Sequence, residues 1–440
     1  MNELHRPISD FGPDVAITAS ASAARFRPGR RAIVAAAIGN GLEMYDFTLY
    51  SFFAATIGNL FFPSSNALTS LLLSFGVFGA GFVMRPLGAL LIGNIADQRG
   101  RKAALTLTIA LMSIGTALIA LTPSYGTIGI TASVLVVIGR LLQGLSAGGE
   151  IGAASALLLE SGGKERRCFL VSWQAATQGG AALLDALSGM TLSAGLSPED
   201  LHAWGWRLPF LLGLLIAPIG LYMRRNLKET FEGNRKTALT GLREVFSENA
   251  RTLILGVFLM ASSTASMYVT VFYMPTYLVR TLHMPAVTAY AATCVSGLTL
   301  LALAPLFGRF ADRLKRRKPL LICNSVLSML IAIPNFTLLS SGPGLPLVAM
   351  CVAISGTLSA LGTGAGTAMM MEALPREHRA TGMSIMYSVG VTLFGGFAPL
   401  VVTWLINETG SRMAPLGYTY SAMIISFIAM LLYPSHPGRD

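Results

Sequence analysis

Gly93-Asn94-Ile95-Ala96-Asp97-Gln98-Arg99-Gly100-Arg101-Lys102 closes one long apolar stretch, and Gly308-Arg309-Phe310-Ala311-Asp312-Arg313-Leu314-Lys315-Arg316-Arg317 closes another. Both read Gly-x-x-x-Asp followed by a basic cluster, and they stand about half the 440-residue chain apart. A repeat of that period, set between apolar stretches, points to a carrier made of two like helical halves. Gly lets helices approach closely, and Asp can pair with a loop Arg or cap a helix N-terminus. The two loops are therefore expected to latch the halves together on one side of a membrane through Asp97, Arg101, Asp312 and Arg316.

The composition agrees. Hydrophobic residues make up 53% of the chain and charged residues 12%, about half the charge of soluble domains. Mean hydropathy is +0.61. So few charges do not cover a soluble protein of this size, and the apolar content is too high for disorder. Cys168, Cys294, Cys323 and Cys351 are scattered in apolar segments without CxxC or Cys/His spacing, so neither a disulfide framework nor a metal site is indicated. No nucleophile–base set or phosphate loop marks an enzyme.

Twelve stretches are long enough to cross a bilayer: roughly 32–60, 69–95, 103–121, 128–158, 167–193, 206–224, 252–278, 287–307, 318–339, 346–371, 381–406 and 417–433. The expected fold is an all-α membrane protein with twelve transmembrane helices in two six-helix bundles. Residues 1–31 form a polar tail, 32–226 the first bundle, 227–250 a linker, 251–434 the second bundle and 435–440 a short tail. With the N-terminus inside, nearly all of the 32 Lys and Arg fall in inside segments. The exceptions are Arg207, Arg280 and Arg412 outside, and Arg85 and Arg140 within spans. Both termini are thus expected in the cytoplasm. The net charge of +11 then reflects topology, and the partner is the lipid bilayer rather than nucleic acid.

Several motifs follow one another at matching depths. Span one carries Gly39-Asn40-x-x-Glu43-x-Tyr45-Asp46-Phe47-x-x-Tyr50, and span two carries Gly81-Phe82-x-x-Arg85-Pro86-x-Gly88. Span four carries Arg140-x-x-Gln143-Gly144-x-x-Ala147-Gly148-Gly149-Glu150. Trp204-Gly205-Trp206-Arg207-x-Pro209-Phe210 opens span six, and Arg224-Arg225-x-Leu227-x-Glu229-Thr230 follows it. From about residue 32 to 433 this set resembles the major facilitator superfamily, and more closely its metabolite:proton symporter family. Ser172-Trp173-Gln174-x-x-x-Gln178, Phe394-Gly395-Gly396 and Thr403-Trp404-Leu405-Ile406 resemble the citrate/tricarballylate branch. Gln98 departs from the superfamily loop, which usually has a basic residue there, so the first latch is expected to be the weaker. The resemblance implies alternating access in a bacterial inner membrane by a monomer without cofactors. The expected activity is proton symport of a small organic acid, a tricarboxylate such as citrate or tricarballylate. Na⁺ coupling, another metabolite (a dicarboxylate, a shikimate-like acid, a zwitterionic osmolyte) and a non-transporting receptor or anchor are the alternatives.

Charges inside spans cost about 2.5–3.5 kcal/mol each on insertion scales and normally face a cavity or a partner. At about 1.5 Å per residue, Glu43, Arg140 and Gln178 fall near the midplane, where such carriers bind substrate. Arg140 either grips a substrate carboxylate with its fork or fixes span-four packing through a standing Arg–Glu pair. Glu43 and Asp46 share a helix face with Tyr50, and either carry the coupled proton or pair structurally with a neighbour. If Arg140 faces one of them, a substrate carboxylate that occupies Arg140 leaves that acid to take up a proton. Arg85, about two turns from the inside face, reads as a snorkelling residue, a latch partner or a substrate contact. Glu150 is expected to pair with Arg101 in the latch. Asp185 belongs either to a proton path or to a water-facing vestibule. Gln174 and Gln178 either donate to an acid or bond between helices. Asn40 and Tyr45 of the span-one motif complete the substrate-binding set. Trp204 and Trp206 read as interface-belt residues.

Overall fold

The computed structural model describes residues 30–99, 101–148, 151–161, 163–214, 238–375 and 378–434; the side chains of 30–36, 96–97, 101–102, 151, 153, 164 and 238–244 are outside that description. Within it the chain is helix and connecting turn. A spanning segment has no water to satisfy its peptide groups, so each long apolar stretch closes its own hydrogen bonds as a helix.

The first half contains α1 (Arg30–Phe52, resuming as Ala54–Phe61), α2 (Ala67–Arg99), α3 (Arg101–Leu121), α4 (Ile130–Gly148, then Ile151–Ser161), α5 (Arg167–Gly195) and the opening turns of α6, 207–214. The second half contains α7 (Ala238–Met267, with non-α turns at Tyr268–Phe272 and Tyr277–Thr281), α8 (Ala286–Asp312) and α9 (Lys318–Ser340). It continues with α10 (Leu345–Glu372), α11 (Arg379–Val391, a turn at Thr392–Gly396, then Ala398–Thr409) and α12 (Ala414–Leu432). Among the described residues nine helices are long and apolar enough to cross a membrane. The described part of the segment read as linker is helical from Ala238 onward. Asn249 leaves helical geometry (φ −129°, ψ 17°), so a short linker helix precedes the spanning part of α7.

Inside the first bundle α4 packs on α2 and α3, and α1 on α5; inside the second, α7 packs on α11 and α12, and α10 on α8 and α9. Small residues set the closest approach. A Cβ on Gly144 would strike the Gly81 carbonyl, and one on Gly148 would strike that of Arg85, so the α2 and α4 backbones touch through these glycines. Gly144 and Gly148 follow Arg140 at helical spacing. That face of α4 therefore turns Arg140 toward α2.

The bundles meet along a seam in which α5 lies against α8, and α2 and the second part of α4 lie against α11. The α5–α8 contact is backbone-close: a Cβ on Gly179 or Gly297 would meet the other's carbonyl at 2.8 Å. The α2–α11 contact has a different origin. Pro86 has no N–H to give the carbonyl four residues back, and that carbonyl, Phe82, accepts from the Thr392 hydroxyl of α11 at 2.9 Å. Farther along, Ser51 donates to the Phe272 carbonyl (3.2 Å) and Tyr290 to the Phe52 carbonyl (3.1 Å). A separate cavity of about 130 Å³ lies wholly inside the second bundle, between α7, α9, α10 and α12, lined by hydroxyls and by Asn324 and Asn335.

Candidate functional site

The mid-depth of the first bundle holds two guanidinium groups, Arg85 on α2 and Arg140 on α4, each 0% exposed. Phe47 of α1 serves both: its ring lies 4.3 Å from the guanidinium carbon of each. The two cations are therefore separated by at most twice that distance. Phe82 packs against Arg85 at 4.4 Å, and Tyr50 and Phe78 against Arg140 at 4.7 and 5.0 Å. Ring faces are attractive to cations, each worth about 0.5–2 kcal/mol, and they keep lipid away from the charges.

Hydrogen bonding leaves the pair unfinished. Arg140 Nη1 donates to the Phe47 carbonyl (3.0 Å) and to Gln143 Oε1 (2.7 Å). Gln143 is oriented in turn by Thr116 Oγ1 (2.9 Å) and the Asp46 carbonyl (3.4 Å). Arg140 Nε and Nη2, and all three nitrogens of Arg85, have no acceptor among the described residues, and neither arginine forms an ion pair among them. Two neighbouring buried cations without an anion are costly, by several kcal/mol per ion. A ligand with two or more carboxylates supplies both the charge and the missing acceptors, each oxygen pair matching one guanidinium fork.

This placement corrects some expectations. Arg85 does not snorkel; it is enclosed by Phe47 and Phe82. Arg140 has no standing Arg–Glu pair among the described residues, and it bonds the α1 backbone rather than the Asp46 carboxylate. Asp46 instead points at α6, where a Cβ on Gly213 would strike its Oδ1; that oxygen has no hydrogen-bond partner among the described residues. Asp185 on α5 faces no vestibule. It is 0% exposed, accepts from Thr48 at 2.6 Å through Oδ2, and its Oδ1 lacks a partner among the described residues. Tyr45 lies near both acids and donates to the Pro209 carbonyl (3.0 Å). Asp46, Tyr45, Thr48 and Asp185 thus form an acid cluster between α1, α5 and α6, set to one side of the arginines. Glu43 is buried on α1.

The other expected contacts are mainly internal ties. Asn40 donates to the Gln174 carbonyl (3.3 Å) and Thr177 Oγ1 (3.0 Å), joining α1 to α5. Gln174 Oε1 accepts from Ser155 (2.7 Å). Gln178 reaches across the seam to the Tyr387 hydroxyl of α11 at 3.4 Å. Trp206 is no belt residue: it is buried between Phe61 and Phe210, whereas Trp204 is exposed.

At the end where the loops before α5, α9 and α11 gather, Asp312 accepts from the Cys168 and Phe169 backbone N–H groups (2.8 and 2.9 Å). It so caps the positive end of α5 from the opposite bundle. Glu372 of α10 binds Arg167 of α5 (2.9 Å) and Arg317. Arg317 is held charged above its ordinary range: burial opposes the charge, and the facing Cys168, Glu372 and Asp312 groups outweigh it. The pairing residue is Arg317; the expected Arg316 is exposed, in a non-helical loop of turn and bend between α8 and α9. The side chains of Asp97 and Arg101, and Glu150 altogether, lie outside the described residues.

Two like helical bundles along one seam, with charged groups held at mid-depth, define a membrane carrier. Residues 32–231 match the family "Sugar (and other) transporter", and 291–440 match "Major Facilitator Superfamily". The chain is 37% identical to a citrate-proton symporter of Klebsiella pneumoniae, covering 91% of both chains. It is 34% identical to an alpha-ketoglutarate permease of Escherichia coli (strain K12), covering 91% of this chain and 93% of that one. Its fold matches the xylose transporter XylE from E. coli in a partially occluded inward-open conformation, with a TM-score of 0.74 at 15% identity over 92% of this chain and 99% of that one. The chain belongs to the major facilitator superfamily; its relatives and structural neighbours are transporters, not enzymes.

Proposed function

We propose that this protein is a proton symporter for a di- or tricarboxylate, with citrate and tricarballylate as the foremost substrates. One observation carries the reading: Arg85 and Arg140 are fully buried side by side, with five guanidinium nitrogens lacking an acceptor among the described residues. A monocarboxylate leaves one guanidinium uncompensated, and a neutral sugar leaves both. The citrate-proton symporter likeness supports the tricarboxylate, and the alpha-ketoglutarate permease likeness supports a dicarboxylate of similar span.

The coupled proton is assigned to the acid cluster of Asp46 and Asp185, with Glu43, three residues before Asp46 on α1, as the further candidate. The Asp46 and Asp185 carboxyls are buried with no ion pair among the described residues, and a carboxyl so placed avoids the cost of its charge by taking a proton. Cluster and arginines share α1: Thr48 and Asp46 face the acids, while the Phe47 ring and carbonyl hold the arginines. Substrate binding that shifts α1 therefore reaches the acids through the helix rather than by ion-pair exchange, and the coupling is reciprocal. A polyanion entering a negative interior is opposed by about 2.3 kcal/mol per charge per 100 mV, which co-transported protons offset. The end closed by Asp312 and Glu372 is assigned to the cytoplasm by its basic residues, with the protein working as a monomer in a bacterial inner membrane.

The test is uptake of labelled citrate, tricarballylate, alpha-ketoglutarate, proline and xylose into proteoliposomes under an imposed pH gradient. Accumulation of the polycarboxylates alone is expected. Accumulation of proline or xylose with no polycarboxylate uptake overturns the reading, and Na⁺ gradients without a pH gradient test the coupling ion.

A further inference from the structure

We infer that Tyr268 of α7 is a substrate-contacting residue: its phenol is the second bundle's hydrogen-bond donor to the carboxylate held by Arg85. The inference rests on the polycarboxylate reading above and adds a residue from the opposite bundle to it.

The local backbone places Tyr268. Residues Tyr268–Phe272 form one π turn, with the Tyr273 N–H bonded to the Tyr268 carbonyl at 2.9 Å. Pro275 lies just beyond and brings no N–H to the ladder. The wider turn shifts the helical phase there, a distortion that recurs at functional sites. Tyr268 is buried. Its ring meets Phe82 edge-on at 5.3 Å and Phe272 at 5.1 Å, and lies 6.4 Å from Phe78. Phe82 and Phe78 are also rings that enclose Arg85 and Arg140. Tyr268 is thus the point at which the second bundle enters the aromatic box of the first.

Its hydroxyl lies beside Arg85, whose nitrogens keep no acceptor in hydrogen-bond geometry among the described residues. A phenol beside an unsatisfied guanidinium is a donor waiting for the same anion. A carboxylate on Arg85 has lone pairs to spare, and Tyr268 can fill one. Away from its end turns the second bundle has no Asp, Glu, Lys or Arg, so at this depth its contribution to an anion is a neutral donor. A single substrate carboxylate then touches both bundles, Arg85 from one and Tyr268 from the other.

Tyr268→Phe keeps the ring packing and deletes only the hydroxyl. Citrate binding to the detergent-purified full chain, measured by calorimetry, is expected to weaken about tenfold, the scale of a hydrogen bond to a charged group, with the ligand-free unfolding temperature unchanged. Wild-type affinity in this variant overturns the assignment. If the variant does not fold, Tyr268→His, which keeps a ring and an N–H donor, replaces it: affinity within about threefold of wild type supports the donor role, and loss of binding overturns it. Arg85→Lys and Arg140→Lys run alongside. If they too bind citrate as wild type does, the polycarboxylate site itself is wrong; if they lose binding while Tyr268→Phe does not, only the role of Tyr268 fails.

Discussion

The spans of the first bundle hold Glu43, Asp46, Arg85, Arg140 and Asp185, whereas those of the second, away from their end turns, hold no charge at all. The two halves share a helical plan and differ in chemistry. The first keeps ions at mid-depth in an aromatic enclosure and an acid cluster. The second offers phenols at the seam, Tyr268 and Tyr387, and a hydroxyl- and amide-lined hollow of its own. On the proposed reading, carrying ions and closing over them are tasks of different halves.

The sharpest way to break this contrast is to remove the cations together. Arg85→Met with Arg140→Met should abolish citrate uptake, a loss of more than about 100-fold from two charge-assisted contacts. Folded yield should hold or rise, because apolar replacements of buried charges are often neutral or stabilising. Uptake and thermal unfolding read the two effects; a double variant that still accumulates citrate would remove the ions from the transport site.

Next in size, Asp185→Asn or Asp46→Asn should lower accumulation driven by a pH gradient by about tenfold while leaving citrate counterflow near wild type. Glu43→Gln is the comparison. If all three variants still concentrate substrate with only a pH gradient imposed, the proton travels elsewhere.

Glu372→Gln should act more mildly. It weakens the bonds to Arg167 and Arg317 across the basic end, which are partly exposed and so worth about 1 kcal/mol. Labelling of a single Cys behind that closure should speed up several-fold; unchanged labelling means that the Glu372 bonds do not hold the end shut. The smallest effect belongs to the neutral half. Asn335→Ala loses bonds to the Cys351 carbonyl and Ser355 (both 3.0 Å) and should cost about 1 kcal/mol of stability with citrate affinity intact. A large affinity loss there would place binding chemistry in the second bundle after all.

Much of the fold was legible because spanning helices announce themselves by apolar length and because glycine spacing marks close faces, as at Gly144 and Gly148. Arg140 was legible for the same reason: a charge in an apolar span is rare. Arg85 was harder, since counting residues from the membrane edge measures depth and not direction, and direction is what puts it between Phe47 and Phe82. Arg140 and Asp46 lie at similar depth by residue count, but depth does not give direction: Arg140 turns to the Phe47 carbonyl and Gln143, and Asp46 to Gly213. Trp206 followed a statistical preference that local packing with Phe61 and Phe210 overrode. Tyr268 had no pattern to betray it; the available signal was Pro275 a few residues on, which foretells a disturbed helix without saying which side chain it re-aims.

The proline beside Arg85 also has a consequence for the solvent. As long as the bundles touch, the Phe82 carbonyl that Pro86 leaves free is served by Thr392. Whenever they part there, that carbonyl needs a new partner, and lipid cannot provide one. If the halves part there in the proposed transport cycle, a water is the expected replacement partner for this peptide. The carbonyl stretch of a ¹³C-labelled Phe82 would report that exchange, making a missing backbone hydrogen into a gauge of when the middle of the protein is wet.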